Sequence, residues 1–91
     1  MADAWVYLLC CADGSLYTGW TNDLPKRLAA HTAGTASRYT RSRLPVELAL
    51  ALPQADRSAA MREEARIKRL RREQKIALVS AADRATGSGR R

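Results

Sequence analysis

Two apolar segments joined by a tight turn constrain the fold of this chain more than any other feature. Residues 4–11 and 16–20 are rich in strand-forming side chains, and Asp13-Gly14 between them is a strong β-hairpin signal. Each predicted strand carries one tyrosine, Tyr7 in the first and Tyr17 in the second. A hairpin centred on this turn brings the two residues opposite each other or one diagonal apart. We therefore predict a hairpin that presents two phenols to one cleft.

The segment that follows the hairpin has the signals of a helix from residue 24 to residue 32. Asn22 or Asp23 can cap its first turn, and Pro25 is compatible with that turn. Gly34 comes shortly after the last residue at helical spacing and is a typical C-terminal stop. These signals predict the first helix.

The second half of the chain adds one strand and two helices. Residues 35–44 have no strand or helix period and predict a basic loop, and residues 46–52 predict a third strand. A long helix is predicted over residues 59–72, capped by Asp56 or Ser58, and a shorter one over residues 74–81. The expected fold is α+β, with a small three-stranded antiparallel sheet flanked by helices in the order ββαβα plus a short final helix. One domain is predicted over residues 1–82 and a basic, disordered tail over residues 83–91.

The charge balance favours a polyanionic partner. The chain has 16 Lys and Arg residues against nine Asp and Glu residues, a formal net charge of +7. Such a surplus promotes binding to nucleic acid through counterion release and steering. Cys10 and Cys11 are adjacent in a predicted strand and point to opposite faces, so they cannot readily bridge each other. No signal peptide or membrane span is recognisable, and we expect a soluble, cytoplasmic protein without a membrane partner.

Arg27, His31 and Glu64 are the further candidates for chemistry. Arg27 and His31 are four residues apart on one helix face, where they line a groove or form a solvent-facing pair at the helix end. Glu64 lies beside the apolar stripe of its helix, where it either pairs with Lys68 at i, i+4 or binds a hard metal ion. A carboxylate for metal, a tyrosine as base and a guanidinium for phosphate are the parts needed to hydrolyse a phosphodiester.

In their order along the chain, these residues resemble the motifs of the GIY-YIG endonuclease family. The similarity runs from about residue 5 to residue 78 and is greatest to the small stand-alone bacterial members. The segments that carry it are Val6-Tyr7, Tyr17-Thr18-Gly19-Trp20-Thr21-Asn22-Asp23-Leu24, Arg27-Leu28, His31, Tyr39-Thr40-Arg41, Pro45 and Glu64. Trp5, Val6 and Thr18 replace the glycine and the two isoleucines of the family motifs, which are scaffold positions rather than chemical groups.

The resemblance implies a DNA endonuclease that uses one Mg²⁺ or Mn²⁺ ion bound through Glu64. By position, Tyr7 would be the general base, and Tyr17 would orient water or phosphate. Arg27 would bind the scissile phosphate, and His31 would assist proton transfer. At Gly19, the missing side chain would let backbone and DNA approach each other.

Further contacts with nucleic acid are predicted outside this group. Trp20 stands where some family members have a lysine, and it is either a stacking platform for an unpaired base or a partly buried core residue. The predicted loop combines basic residues with an aromatic one, which is typical of a segment that follows phosphates. The additional substrate-binding candidates are Arg38, Tyr39, Arg41, Arg43 and Lys68.

These residues are compatible with three classes of function. The first is an endonuclease acting in DNA repair or processing, selective for branched, flap or single-stranded DNA rather than for a base sequence, and open to control by a protein partner. The second is a non-catalytic nucleic-acid-binding module on the same fold. The third is a basic interaction protein with an acidic partner. RNA remains an alternative substrate to DNA.

Overall fold

The computed structural model describes residues 2–86, which form three strands and four helices. The strands make one antiparallel sheet in the order β2-β1-β3. They are β1 (Ala4–Cys10), β2 (Leu16–Thr21) and β3 (Glu47–Gln54). The helices are α1 (Leu24–Ala33), α2 (Arg38–Arg41), α3 (Arg57–Lys68) and α4 (Arg72–Thr86). The predicted α+β class and the three-stranded antiparallel sheet are confirmed.

The hairpin between β1 and β2 forms at the predicted turn. Gly14 has a φ of 85°, a left-handed conformation that favours glycine, and the Asp13 carboxylate accepts a bond from the Ser15 backbone N–H at 3.0 Å. The register pairs Tyr7 with Gly19 and Leu9 with Tyr17. Tyr7 and Tyr17 are therefore one diagonal apart on the same face, as the hairpin predicts.

The two faces of β1 serve different purposes because successive side chains alternate across a strand. Val6 and Leu8 point to one face and form the apolar core together with Ala60 and Ile67 of α3. Tyr7 points to the other face, against the helical layer of α1 and α2. The sheet thus separates an apolar interior from the region where the tyrosines lie.

The first helix begins and ends where its capping residues predict. The side chain of Asp23 accepts a hydrogen bond from the Lys26 backbone N–H, and Pro25 lies in the first turn. Gly34 adopts the left-handed conformation with a φ of 82° and ends the helix after Ala33. These caps fix the direction of α1 across the sheet and bring its last turn to the tyrosines.

The predicted basic loop over residues 35–44 contains a short helix. Helix α2 is capped by the Ser37 side chain, which accepts a bond from the Thr40 backbone N–H at 3.1 Å. Thr40 is fully buried in this helix. The uniform loop was therefore the wrong prediction, because a local cap and one buried side chain give the segment helical structure.

The third and fourth helices have different limits from those predicted. α3 ends at Lys68 rather than residue 72, and the following turn brings Leu70 against the core. α4 begins at Arg72, and the Gln74 side chain reaches back to the Arg71 N–H at 2.8 Å, which is half of a capping box. α4 runs to Thr86 and has 15 residues, so the predicted short final helix is wrong.

The predicted domain limit between residues 82 and 83 falls inside α4, which continues to Thr86. The rest of the predicted tail, residues 87–91, lies outside the described residues. Over residues 2–86, no helix is both long enough and apolar enough to cross a membrane.

Candidate active site

Gly19 makes room for the phenol of Tyr7. A Cβ atom built at Gly19 would lie 2.6 Å from the Tyr7 hydroxyl oxygen and 2.7 Å from Tyr7 Cζ, distances that real Cβ atoms essentially never show. The missing side chain was expected to let DNA approach, but in the structure it is the Tyr7 ring that occupies this space. Gly19 therefore gives Tyr7 the space to lie beside Tyr17, with the two ring centroids 6.4 Å apart.

His31 is buried between the two tyrosines. Its Nε2 atom lies 2.8 Å from the Tyr7 hydroxyl oxygen, and only 1% of the residue is exposed. The imidazole also contacts both phenol rings edge-on, with centroid distances of 5.5 Å to Tyr7 and 5.2 Å to Tyr17. The solvent-facing alternative for the histidine is thus wrong, and the last turn of α1 delivers His31 to the tyrosines.

Thr40 holds the other ring nitrogen of His31. The Thr40 hydroxyl oxygen lies 2.9 Å from His31 Nδ1, and Thr40 has no exposed surface. Thr40 belongs to a segment that carries the family resemblance, but the sequence did not predict it as a residue of the site. Ser37, three residues earlier, is the signal that would have indicated this role, because a serine cap turns Thr40 inward. A buried histidine needs two hydrogen-bond partners, and Thr40 can supply one of them.

Arg27 lies one turn before His31 on the same helix and is exposed at the mouth of the site. Its positive charge opposes the rise of the Tyr7 pKa that burial causes, and it adds to burial in lowering the pKa of His31. The structure thus brings the predicted guanidinium, imidazole and first tyrosine together.

The protonation states of Tyr7 and His31 follow from their burial. The pKa of Tyr7 is raised to about 12, first by burial and then by the neighbouring Tyr17 phenol and the charge of Glu64, against the opposing effect of Arg27. Burial and the Arg27 charge both lower the pKa of His31 below 6.5. At neutral pH both groups are therefore neutral, and the hydrogen bond between them joins a protonated phenol to an uncharged imidazole.

Glu64 lies on α3 with 20% of its side chain exposed. Its negative charge is one cause of the raised Tyr7 pKa, so it acts on the site from α3. Glu64 Oε2 is also 3.3 Å from Lys68 Nζ, and the pairing predicted as the alternative to a metal role is present. The adjacent Glu63 instead forms a two-bond pair with Arg66, at 2.7 Å and 3.0 Å.

A divalent ion would have one protein carboxylate here. Among residues 2–82, whose side chains the structure describes, no group of three or more His, Cys, Asp or Glu residues is arranged to hold a metal. Glu64 is partly exposed and lies near enough to Tyr7 for its charge to affect the tyrosine pKa, and the Lys68 ammonium paired with it is exposed. A single carboxylate fits Mg²⁺ or Mn²⁺, because such ions keep several waters and take oxygen ligands from a substrate phosphate.

The basic segment that contains α2 is only partly free to meet a ligand. The Arg43 guanidinium lies 3.8 Å from the centroid of the Tyr39 ring and donates to the Asp13 carboxylate at 2.9 Å. Tyr39 also lies 5.7 Å from Tyr17, measured between ring centroids. Arg43 thus ties the segment to the hairpin turn, while the neighbouring Arg38 and Arg41 are exposed.

A cleft of about 460 Å³ opens beside Arg27, where the first turns of α1 and α3 approach the end of β2. Trp20 lines this cleft and also packs against the apolar core, so both roles weighed for it are compatible with its position. The Arg57 guanidinium lies 5.7 Å from the centre of the Trp20 ring. Lys26 and Arg57 add positive charge to the cleft, and sequence reasoning missed both because their meeting depends on the packing of two helices.

Comparison with known proteins agrees with this arrangement. The family model described as the GIY-YIG catalytic domain matches residues 3–77. A UPF0213 protein of Xanthomonas axonopodis pv. citri is 47% identical over 79 residues, which cover 87% of this chain and 78% of the relative. A UPF0213 protein of Natronomonas pharaonis is 48% identical, with 87% and 93% covered.

Two solved structures share the fold. The solution structure of the UPF0213 protein BH0048 from Bacillus halodurans is 41% identical, with a TM-score of 0.57, and 86% of this chain and 83% of that chain are covered. The solution structure of the protein EF2693 from E. faecalis is 31% identical, with a TM-score of 0.62, and the match covers 100% of this chain and 99% of that chain. The resemblance found in the sequence is confirmed, and this chain belongs to the GIY-YIG family, a family of nucleases.

Proposed function

We propose that this chain is a metal-dependent endonuclease that hydrolyses phosphodiester bonds in DNA, with selectivity for branched, flap or single-stranded structures. The observation that carries the proposal is the buried hydrogen bond of 2.8 Å between the Tyr7 hydroxyl and His31 Nε2. A phenol bound to a neutral imidazole has an acceptor for its proton, and such a pair is suited to activate water.

Each group has a distinct part in the proposed reaction. Tyr7, after passing its proton to His31, takes a proton from water as the water oxygen forms a bond to phosphorus. The bond between phosphorus and the leaving ester oxygen breaks, and that oxygen takes a proton from solvent. Arg27 holds phosphate oxygens at the mouth of the site, and Tyr17 orients the water or the phosphate.

The pKa of Tyr7 sets what else the reaction requires. With a pKa of about 12, roughly one Tyr7 side chain in 10⁵ is a phenolate at pH 7. Nucleases of this family generally use a divalent metal ion. We assign Mg²⁺ or Mn²⁺ to Glu64, where it would polarise the scissile phosphate and lower the pKa of groups beside it.

Selectivity for an unpaired or distorted strand is supported by the cleft beside Arg27. Its volume of about 460 Å³ admits a nucleotide that has left the base stack, and Trp20 offers an aromatic surface. Lys26 and Arg57 on its walls can neutralise the neighbouring phosphates. Stacking on an indole is tolerant of base identity, and it therefore favours recognition of DNA shape over sequence.

Cleavage by wild-type protein and by Glu64→Gln tests the proposal. The substrates are labelled single-stranded DNA, duplex, flaps and a Holliday junction, with an RNA flap to separate DNA from RNA, each with Mg²⁺, Mn²⁺ or a chelator. Because a metal supplies several kcal/mol of charge stabilisation, we expect Glu64→Gln to lose about 10³-fold or more in rate. Glu63→Gln, which alters the adjacent carboxylate outside the site, is the matched control and should cut normally.

A non-catalytic DNA-binding module is the second candidate, and the ion pair between Glu64 and Lys68 at 3.3 Å favours it. A carboxylate already neutralised by an ammonium has less attraction for a metal ion. Binding of the substrate panel without cutting by the wild type, with either metal, would select the module. Equal cutting by wild type and Glu64→Gln would rule out the metal role of Glu64.

A further inference from the structure

His31 is held from both sides by buried hydroxyl groups. Its Nε2 atom lies 2.8 Å from the Tyr7 hydroxyl oxygen, and its Nδ1 atom lies 2.9 Å from the Thr40 hydroxyl oxygen. Tyr7 is 1% exposed and Thr40 is fully buried, so these two protein hydroxyls are the partners of the imidazole. A neutral imidazole carries one proton, and the proton is therefore on one of the two nitrogens.

The two possible arrangements have opposite consequences for Tyr7. With the proton on Nε2, His31 donates to the Tyr7 oxygen and cannot accept the phenol proton. With the proton on Nδ1, His31 donates to Thr40 and its bare Nε2 accepts from the Tyr7 hydroxyl. Proton transfer from Tyr7 to His31 is possible only in the second arrangement.

The surroundings of Thr40 select the second arrangement. The Thr40 hydroxyl donates to the Ser37 carbonyl oxygen at 3.4 Å and lies 3.1 Å from the Ser37 side-chain oxygen. Ser37 thus offers acceptors for its one proton, and with the proton directed to Ser37 its lone pairs are free to accept from Nδ1. The serine is itself fixed, because its side chain caps the Thr40 backbone N–H at 3.1 Å.

The Tyr7 hydroxyl requires the same arrangement. Among the side chains described, those of residues 2–82, the acceptor within hydrogen-bonding distance of its proton is His31 Nε2. If Nε2 carried the proton, two hydrogens would face each other along a contact of 2.8 Å, or the buried Tyr7 proton would be left without an acceptor. Leaving a buried donor unsatisfied is unfavourable, whereas the Nδ1-protonated form satisfies Tyr7, His31 and Thr40 together.

We propose that Thr40 is a positioning residue that fixes His31 in the Nδ1-protonated tautomer, so that Nε2 is free to take the proton of Tyr7. The catalytic part of this proposal rests on the proposed nuclease function, while the tautomer itself does not. The O–H bond of Tyr7 breaks and an N–H bond forms at His31 Nε2, giving a phenolate and an imidazolium. Nδ1–H stays bonded to Thr40 throughout, and the imidazolium later returns its proton to solvent.

The tautomer is directly measurable because the chain has one histidine. In ¹⁵N-labelled protein at pH 7.5, long-range ¹H–¹⁵N correlation spectra assign each ring nitrogen of His31 as protonated or bare. We expect a protonated Nδ1 and a bare Nε2 in the wild type. A protonated Nε2 would overturn the proposal whatever the activity of the protein. The correct tautomer in a protein that never cuts DNA would count against the proposed function alone.

Three variants test the assignment to Thr40. Thr40→Val removes the acceptor at nearly constant volume, and we expect His31 to change to a mixed or Nε2-protonated state. Thr40→Ser retains the hydroxyl and should retain the wild-type tautomer. Thr32→Val makes the same substitution at an exposed position of α1 and is the control. A fully Nδ1-protonated histidine in folded Thr40→Val would overturn the role of Thr40.

Kinetics give a second readout. Because Thr40 is buried and out of reach of substrate, Thr40→Val should lower kcat and leave KM unchanged. We expect a loss of roughly 10- to 100-fold, less than the 10²–10⁴-fold that a general base supplies. Thr40→Ser should recover kcat to within about threefold of the wild type, because it restores the acceptor for Nδ1–H. A change confined to KM, or a Thr40→Ser protein as slow as Thr40→Val, would contradict the positioning role.

Discussion

The two faces of the central strand are equally buried but are built from different chemistry. On one face, Val6 and Leu8 pack against Ile67 in an apolar core, where contact and exclusion of water provide the stability. On the other face, Tyr7 and His31 are just as buried and are joined by hydrogen bonds. The apolar face tolerates volume-conserving changes, whereas each polar group of the other face requires a specific partner.

The largest difference between the two faces is expected from Tyr7→Phe and Ile67→Ala. Tyr7→Phe removes one oxygen and should lower the cleavage rate by roughly 10²–10⁴-fold if Tyr7 is the base. Ile67→Ala should lower the free energy of unfolding by about 2–5 kcal/mol and leave the rate of the folded protein unchanged. Denaturant unfolding and single-turnover cleavage, measured on both variants, separate the two effects.

Tyr17→Phe is the comparison that isolates the base. Tyr17 is half-buried and contacts His31 through its ring rather than through its hydroxyl, so its variant should retain more activity than Tyr7→Phe. A Tyr7→Phe protein that cuts as fast as the wild type would remove Tyr7 from the base role and transfer the assignment to Tyr17.

Local signals predicted the parts of this structure that local contacts determine. Asp13-Gly14 predicted the hairpin and the nearly opposite or diagonal placement of Tyr7 and Tyr17. Asp23 and Gly34 predicted the limits of α1. These features depend on residues within a few positions of each other, where turn and cap chemistry is decisive.

The features that sequence reasoning missed depend on contacts between distant segments. The pairing of Arg43 with Asp13 joins residues 30 positions apart, and no local pattern distinguishes it from a free phosphate-binding arginine. The contact of Thr40 with His31 likewise depends on how α2 folds over α1. Arg57 reaches Trp20 only because α3 packs along β2. The candidate site was therefore predictable in its chemical groups but not in their partners.

Mild acid is expected to act on the polar face first. Burial and Arg27 lower the pKa of His31 in the folded state. Below pH 6.5, His31 therefore binds a proton more readily in the unfolded chain than in the folded protein. The unfolded state then binds more protons, and stability falls as the pH drops through this range. Tyr7 beside the imidazole stays neutral in this range because its pKa is raised to about 12, and the charge of Arg27 is one of the two causes of the lowered His31 pKa. The expected result is a lower midpoint of urea unfolding at pH 5 than at pH 7.5.

His31→Gln supplies the control for this pH dependence. It removes the titrating imidazole, so the difference between the two pH values should shrink relative to the wild type. The carboxylates of Asp13 and Glu63 have lowered pKa values, so their protonation in acid also destabilises the protein. This loss of stability occurs at lower pH and is common to both proteins. Equal pH dependence in wild type and His31→Gln would show that His31 is protonated as easily in the fold as in the unfolded chain.

The smallest predicted effect is a change in the free energy of unfolding when a buried threonine is replaced by valine, and its sign differs between the two faces. Thr18 lies on the apolar face beside Leu8, and its buried hydroxyl lacks a hydrogen-bond partner among residues 2–82. The Thr40 hydroxyl, by contrast, contacts His31 and Ser37. Thr18→Val removes an unpaired polar group at nearly constant volume and should raise the free energy of unfolding by about 1 kcal/mol, without slowing cleavage. Thr40→Val should lower it by about 1–3 kcal/mol, because Nδ1–H of His31 loses its acceptor. Urea unfolding of both variants decides the matter: destabilisation of Thr18→Val would mean that its hydroxyl is bonded to ordered water and that the two faces differ less than their side chains suggest.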